Sequence, residues 1–572
     1  AGRQRVAIAI PHPSGRVIAN FLFERSYRAF IAARATPLRA QAARLRAVLV
    51  QAERSDIGRR AGFAGIGRIA DAAAMIRSYQ DAVPVRTYAA MQEELDAVYA
   101  GEWQRLCPSR PVFFAMTAGS TGRFKYVPVT REFRRELRES SMVFSGAMQA
   151  RYPAVRHRKV QFLVGSAEGG VSPTGIPQGF ASGFNYKNFP WLVRRRFTVP
   201  YWVFTIEDVE ERNYAAGRIL VSERRLGALC AISPVNLINL RQTLERHADR
   251  LCADIAAGTL DVRGGSAVRG TFSTHPDASL AAALRTARHR GDRLPTSLLF
   301  PALVMLVCWR GGNMGYSLDE LDSEFGVAGH LEFPVSASEG VFAIPDRPNQ
   351  TGGTLAITSN FMEFVRDSDA GSGASRALRA DELEVGAEYR IVVTNSGGLY
   401  RYDMEDIVRV SDIAGCTPVI EFVSKAGRRT SVSNERLTEL DVTHAMQATS
   451  RACGRWFHEF LFVPCSDRRY RVVFDGAELG GPDAMPRDRF MPALTAELER
   501  QLRAAATGYA FEREDALLEP LQVVVTAPGQ LAEYLRAAQG PPSIPSAQIK
   551  PVRLTIEFDL HRRFAIESTY AA

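Results

Sequence analysis

The sequence predicts an α/β protein in two parts: a large N-terminal unit of β-sheets flanked by helices, spanning 1–425, and a small α+β unit over 426–572. Three observations carry this. At 572 residues the chain exceeds what one hydrophobic core organises, so at least two domains are expected. From about residue 110 onward, helix and strand signals alternate, the pattern of an α/β sheet. After SKAGRRTSVSNERLTE (424–439) the pattern restarts with its own helices and strands, which places a boundary near 424–430.

Taken in order, residues 17–60 carry apolar side chains at three- and four-residue spacing with much alanine, which predicts helix. MQEELDAVYAGEW (91–103) predicts another. RPVFFAMTAGSTGRFKYVPVT (110–130) reads as a β-prone run, a Gly/Ser/Thr loop, a lysine and a second short apolar run. A helix over 131–152 and a strand over 159–166 follow. SLLFPALVMLVCW (297–309) is too short to span a membrane and is interrupted by Pro301, so it reads as a buried strand or core helix. Segments 328–345 and 352–365 alternate strand and loop, and 387–412 reads as strand, turn at Gly397-Gly398, strand. The C-terminal part offers a helix, strands at 458–464 and 470–475, a helix at 489–506 and a strand at 521–527. It closes with a helix, the loop PPSIP, and RLTIEFDL (553–560).

Composition excludes several functions. With 46% hydrophobic and 23% charged residues, the chain is an ordinary globular protein. No secretory leader is evident at the N-terminus. Seven dispersed cysteines without a CxxC pair argue against a zinc ribbon or a disulfide framework and fit a reducing cytoplasm. Nine scattered histidines give no HxxxH or HExxH, so no built-in metal is expected. The net charge of +9 is spread along the chain without a lysine tract or interleaved aromatics, so neither nucleic acid nor a membrane surface is indicated.

Only five of the 71 Lys plus Arg residues are lysine: 125, 159, 187, 425 and 550. A GC-rich, bacterial-type genome writes arginine for most solvated cations. A retained lysine therefore marks a place for a slim point charge that can reach one phosphate oxygen.

TAGSTGRFK (117–125) offers hydroxyls at Thr117, Ser120 and Thr121, flexible backbone at Gly119 and Gly122, and the Lys125 charge. Such a loop can wrap an anion, although it lacks the GK[ST] ending of a Walker A loop. SASEG (336–340) sets Glu339 behind a small-residue turn, either a solvated acid or a Mg²⁺ ligand. LYRYDMEDIVRV (399–410) has acids at 403, 405 and 406 that can accept from ribose hydroxyls or merely edge a strand. QIKPVRL (548–554) holds Lys550 extended ahead of a proline.

In their order and spacing these segments resemble the acyl acid amido synthetase (Gretchen Hagen 3) family, a branch of the acyl-CoA synthetase, adenylation domain and luciferase superfamily. The resemblance runs from SDIGRRAGFAGI (55–66) and VPVRTYAAMQEEL (83–95) through FFAMTAGSTGRFKYVPVT (113–130), GIP (175–177), SASEG (336–340) and FMEF (361–364). It continues in GLYRYDMEDIV (398–408), SNERLTE (433–439) and QIKPVRL (548–554).

The resemblance implies a large adenylate-forming domain, a mobile C-terminal domain, and a ligase. It would use ATP and Mg²⁺ to adenylate a carboxylic acid, then pass the acyl group to an amine, that of an amino acid. Thr117, Ser120 and Thr121, with Gly119, Gly122 and Lys125, would hold the phosphates. Glu339 would hold Mg²⁺ and Asp406 the ribose, while Ser336, Ala337, Ser338, Tyr402 and Lys425 complete the nucleotide site. Lys550 would swing in as the adenylation lysine when the small domain rotates about residues near 425. Four residues depart from the family pattern: Ala118 for a hydroxyl, Val335 for an adenine-stacking tyrosine, Glu405 for glycine, and Lys425 for arginine. These leave room for two alternatives, an acyl-CoA or carrier-protein ligase and a non-catalytic nucleotide-binding homologue. A cytoplasmic monomer acting on small molecules, without nucleic-acid or membrane partners, is expected.

Overall fold

The structure is a computed structural model that describes residues 13–118, 124–260, 262, 275–290, 293–327, 329–367, 376–426, 429–479, 487–538 and 552–572. The helical pattern over 17–60 is broken into three helices, Pro13–Ala33, Pro37–Ala52 and Asp56–Arg60. Pro37 opens the second helix, and Thr36 before it leaves helical geometry at ψ 64°, as a residue preceding proline tends to. Ser55 then starts the third by accepting the Gly58 N–H.

β1 (Phe113–Ala118) and β2 (Phe124–Val129) form an antiparallel hairpin, with β4 (Gln178–Gly179) parallel to β1 on its other side. A second, all-parallel sheet orders β3 (Lys159–Phe162), β5 (Leu226–Cys230), β6 (Met305–Cys308) and β7 (His330–Glu332). Its central strands β5 (LGALC) and β6 (MLVC) are fully buried and read as continuous apolar runs, as parallel strands do, while the edge strands β3 and β7 carry polar residues. The run 297–309 resolves into a helix, Thr296–Leu299, followed by β6, with Pro301 between them.

The third sheet has seven antiparallel strands. They are β8 (Val335–Ala337), β9 (Gly340–Ile344), β10 (Gly353–Leu355), β11 (Phe361–Arg366), β12 (Glu388–Thr394), β13 (Tyr402–Ala414) and β14 (Thr417–Lys425). Their spatial order is β11-β12-β13-β14-β10-β9-β8. Between this sheet and the N-terminal helices lies a core including Leu45, Leu49, Phe63, Tyr79, Phe361 and Tyr400. Each such side chain contributes about 1.5–3 kcal/mol by leaving water.

The helix Arg131–Arg151 begins where predicted because Thr130 caps it, accepting the Phe133 N–H at 3.1 Å and donating to the Ser396 carbonyl at 2.7 Å. It lies against Pro13–Ala33 at Gly146, where a Cβ would meet the Phe23 carbonyl oxygen at 2.3 Å, so only glycine permits the approach.

Beyond β14, β15 (Arg429–Thr430) and β16 (Leu437–Thr438) pair briefly. A four-stranded sheet then orders β17 (Phe460–Cys465), β18 (Arg469–Asp475), β19 (Gln522–Thr526) and β20 (Ile566–Ala571). Helices Glu439–Cys453 and Arg487–Ala505 pack with it around Leu437, Phe460, Leu498 and Leu521. RLTIEFDL makes only an isolated bridge, Leu554 to Phe462. β20 was not predicted, since its half-exposed IESTYA carries little apolar signal. Tyr316, from the larger part of the chain, sits in this core and receives the Phe457 N–H on its Oη at 2.8 Å.

Candidate active site

Thr117 and Lys125 face each other across the β1–β2 ladder, at the base of the Gly/Ser/Thr loop. Gly119, Ser120, Thr121 and Gly122 lie outside the described residues. Lys125 Nζ stands 4.8 Å from the Tyr88 ring centroid, a cation–π contact, and the Tyr88 hydroxyl accepts the Tyr126 N–H at 3.3 Å.

Val335, Ser336 and Ala337 form β8, and Ser338 and Glu339 turn the chain into β9. Ser336 Oγ donates to the Pro334 carbonyl at 3.1 Å. Glu339 is buried, and its carbonyl accepts from Asn395 Nδ2 at 2.8 Å. Gly340 has no substitute: a Cβ there would fall 2.2 Å from Asn360 Oδ1. Burial pushes the Glu339 carboxyl above its ordinary pKa; Lys425 pulls it back, Asp406 raises it further, and Lys125 opposes more weakly. Glu339 therefore lies within electrostatic reach of all three groups.

β13 delivers Asp406 through a bulge. Arg390 pairs with Ile407 but Val392 with Asp403, so three residues of β13 stand opposite Ile391. The bulge is made by Glu405, at φ +59°, in the left-handed region that favours glycine. Asp406 is thereby set opposite Lys425 of β14, with Nζ 2.9 Å from Oδ1, and Nζ also donates to the Met404 carbonyl at 3.2 Å. Burial works against the Lys425 ammonium, but Asp406, Glu339 and Glu405 hold its pKa above the usual value. Tyr402 is buried, and desolvation followed by Glu339, Asp406 and Glu405 drives its hydroxyl pKa far up, keeping the phenol protonated as a donor.

Structure thus brings Glu339, Tyr402, Asp406, Lys425 and Lys125 together, with Thr117 at the hairpin base. Lys550 lies outside the described residues.

Sequence reading missed the residues that hold this group in place. Asn395 accepts the Gly397 N–H at 2.8 Å and the Leu399 N–H at 3.3 Å while it fixes Glu339, a bridge between two segments that no spacing discloses. Arg401, next to Tyr402, adopts φ +48° and pairs with the fully buried Glu363 at 3.0 Å. A lone acid inside the apolar strand FMEFVR was the signal for that pair.

A mainly apolar cavity of about 150 Å³ is walled by Met142, Phe144, Val160, Phe162, Phe197 and Phe333 among others. Its walls come from the Arg131–Arg151 helix, β3 and the segment 182–197, with Phe333 two residues ahead of β8. Far from it in the sequence, Cys465, Asp559 and His561 bring three ligand atoms within 4.8 Å of one another, which their spacing did not predict. Burial raises the Cys465 thiol to about 11, and the Arg471 guanidinium that bonds the sulfur leaves that spot poorly suited to a cation. All seven cysteines are free. No described helix is long and apolar enough to cross a membrane.

The sequence model of the GH3 family N-terminal domain matches residues 27–328, and that of the GH3 family central domain matches 353–425. The indole-3-acetic acid-amido synthetase GH3.2 of Arabidopsis thaliana is 25% identical over 405 residues, covering 66% of this chain and 73% of its own. The jasmonoyl–L-amino acid synthetase JAR4 of Nicotiana attenuata is 25% identical over 402 residues, covering 65% and 68%. Among solved structures, the acyl acid amido synthetase AtGH3.15 in complex with 2,4-DB superposes with a TM-score of 0.78 over 98% of both chains at 18% identity, so the fold is shared. These two relatives are plant proteins, and the bacterial source suggested by the scarcity of lysine rests on composition alone.

Proposed function

We propose, from the premise that this chain belongs to the GH3 family, that it is an ATP-dependent acyl acid amido synthetase. It adenylates a carboxylic acid, releases pyrophosphate, and transfers the acyl group to an amino acid's amine, giving an amide and AMP. The observation that carries the reading is the convergence of Glu339, Asp406, Lys425 and Lys125 from the β8–β9 turn, β13, β14 and β2. A carboxylate does not expel oxide, so it must first be activated. In this reading it attacks the ATP α-phosphorus, forming the acyl-adenylate as the α–β phosphoanhydride bond breaks and pyrophosphate leaves, and catalysis consists of positioning and charge stabilisation.

Lys125 and Thr117 flank the loop proposed to hold the phosphates. Asp406, aimed by the Glu405 bulge and tethered to Lys425, is the acceptor proposed for the ribose hydroxyls. The Tyr402 phenol, kept protonated, is a neutral donor to nucleotide oxygens. Ser336, Ala337 and Ser338 form the strand and turn proposed to lie along the adenine, where Val335 supplies an aliphatic wall. The donor set suits Mg²⁺: Glu339 offers a buried hard-oxygen ligand whose ionised form is costly without a nearby cation. Bound there, Mg²⁺ would neutralise charge on the phosphate oxygens.

The apolar cavity is the place proposed for the acid's body. At about 150 Å³ it has the volume known to admit one aromatic ring.

The division into 1–425 and 426–572, with Lys550 swinging in for adenylation, belongs to the same proposal. It is supported by the separate core around Leu437, Phe460, Leu498 and Leu521. Rotation would have to release Tyr316 from that core. Seven free cysteines suit a reducing cytoplasm, and the enzyme is proposed to act there as a monomer.

The test is pyrophosphate release with ATP and Mg²⁺ across aryl and alkyl acids, with hydroxylamine as acceptor. Acid-dependent release trapped as hydroxamate supports the reading. ATP binding without release for any acid defeats it and leaves a non-catalytic nucleotide binder, and a CoA-dependent thioester would redirect it to a CoA ligase.

A further inference from the structure

A second cavity, of about 210 Å³, lies between the N-terminal half of the Arg131–Arg151 helix and the helix Ala181–Asn188. Four arginines line it, Arg131, Arg134, Arg135 and Arg138, together with Ser141, Asn185, Asn188 and Phe189, and no carboxylate does. Their spacing puts all four on one helix face. That arrangement opposes helix stability twice over. Like charges three and four residues apart repel, and cations in the first turns meet the positive end of the helix dipole. Arg135 has one partner, Glu139 at 3.3 Å. Arg131, Arg134 and Arg138 have no ion pair among the described residues. The neighbouring charges are spoken for: Glu132 accepts from Ser109, buried Glu136 is bound to Arg44, and Lys187 faces Glu168.

The two cavities share the lining residues Arg138, Ser141, Asn185 and Phe189, so the arginine cavity adjoins the apolar one. Phe144 packs on Phe333 at 6.0 Å between ring centroids, and Phe333 leads into β8 two residues later. Arg138 precedes Phe144 by six residues on the same helix, about 9 Å along its axis. A molecule seated with its reacting carboxylate toward Phe333 would present its far end to the guanidinium cluster.

On the reading that the apolar cavity holds the acyl acid, we propose that the preferred acid carries a second anionic group. The compound would be an aryl acid whose ring fills the apolar cavity while a distal carboxylate, or a comparable anion, sits among Arg131, Arg134, Arg135 and Arg138. Guanidinium forks suit carboxylate geometry, and the charge-assisted bonds are the strong kind.

The test is calorimetric binding of 3-phenylpropanoate and 3-(4-carboxyphenyl)propanoate to the full-length protein at low salt. The second acid matches the first but adds a para carboxylate. Preference for it by about ten-fold or more in the wild type is expected. In the double variant Arg131→Gln/Arg134→Gln that preference should collapse to within about three-fold while the unsubstituted acid binds as before, which also shows the variant folded. Equal affinity in the wild type overturns the proposal, as does a preference that survives the double variant. Inorganic phosphate separates a linked from a free anion. Competition with the para-carboxylate acid alone supports the proposal, whereas phosphate and 3-phenylpropanoate binding together, with no advantage for the para carboxylate, overturns it. Hydroxamate formation reports on adenylation separately: an arginine-dependent preference without hydroxamate keeps the anion site and defeats the synthetase reading.

Discussion

Asp406 and Lys425 meet across the β13–β14 ladder, Oδ1 2.9 Å from Nζ, and that ammonium is also the strongest single influence opposing the desolvation of Glu339. One lysine therefore balances two acids with different proposed partners. Lys425→Met removes the balance, so Glu339 protonates at higher pH than it does now. Acid-dependent pyrophosphate release should fall by about ten-fold or more, with its acidic limb displaced toward neutral pH. Lys425→Arg keeps the charge and should keep the limb in place. A pH profile of the methionine variant that overlays the wild type would remove Lys425 from this role.

Glu363 and Arg401 form a second pair, one that works through structure. Glu363 is fully buried and receives Arg401 Nε at 3.0 Å and Gln80 Nε2 at 2.9 Å. Arg401 also donates to the carbonyls of Gln80 and Val83 at 2.8 and 2.7 Å. The network ties the end of the helix Ala72–Ala82 to the start of β13. Removing one partner strands a buried charge, so Glu363→Ala or Arg401→Met should each cost about 3–5 kcal/mol in urea unfolding. The double variant should lose less than the sum of the two. Strict additivity would show the pair to be uncoupled.

Much of this site was legible in the sequence because its parts are local. The β-prone run, loop and second apolar run read at 110–130 correspond to β1 and β2, which pair antiparallel with Lys125 at the base of the loop. The turn at Gly397-Gly398 likewise lies between β12 and β13. What stayed hidden depends on contacts between distant segments. Asn395 reaches back to the Glu339 carbonyl across 56 positions. The break in the first predicted helix was visible in Pro37 but was overridden by the apolar periodicity around it. Glu405 in place of the family's glycine was legible as a departure from the pattern, but its backbone consequence, a left-handed residue in a bulge, needed coordinates.

That backbone consequence is testable. Glu405 holds φ +59° where glycine would sit without strain, its N–H donating to Asp403 Oδ1 at 2.9 Å and its carbonyl accepting the Ala426 N–H at 2.6 Å. Both bonds are made by the main chain and survive substitution. Glu405→Gly relieves roughly 1 kcal/mol of strain while adding a comparable unfolded-state entropy, so stability should change by less than about 1 kcal/mol. It also withdraws a negative charge next to Asp406, which should tighten ATP binding by a few-fold. A loss of more than about 2 kcal/mol in thermal or urea unfolding would show that the side chain itself supports the bulge.

Glu332 makes a pH prediction with a definite sign. It is buried at the end of β7, and both carboxylate oxygens accept the Arg310 N–H at 3.0 Å. Burial nevertheless pushes its pKa up to about 8, with Arg310 pulling the other way. Between the ordinary carboxylate range and that value, the folded chain keeps a proton that the unfolded chain has released. The stability this group supplies is therefore present at acid pH and is lost as pH rises toward 8, by about 1.4 kcal/mol for each unit of difference and a few kcal/mol at most. Glu332→Gln cannot ionise and still offers one acceptor to Arg310. The variant should lie closest to the wild type at pH 5 and exceed it in stability at pH 9, so the difference in unfolding midpoint between the two proteins should change steadily from pH 5 to 8 and level off above. A difference that stays constant over that span would mean that Glu332 is already ionised in the folded protein at pH 5.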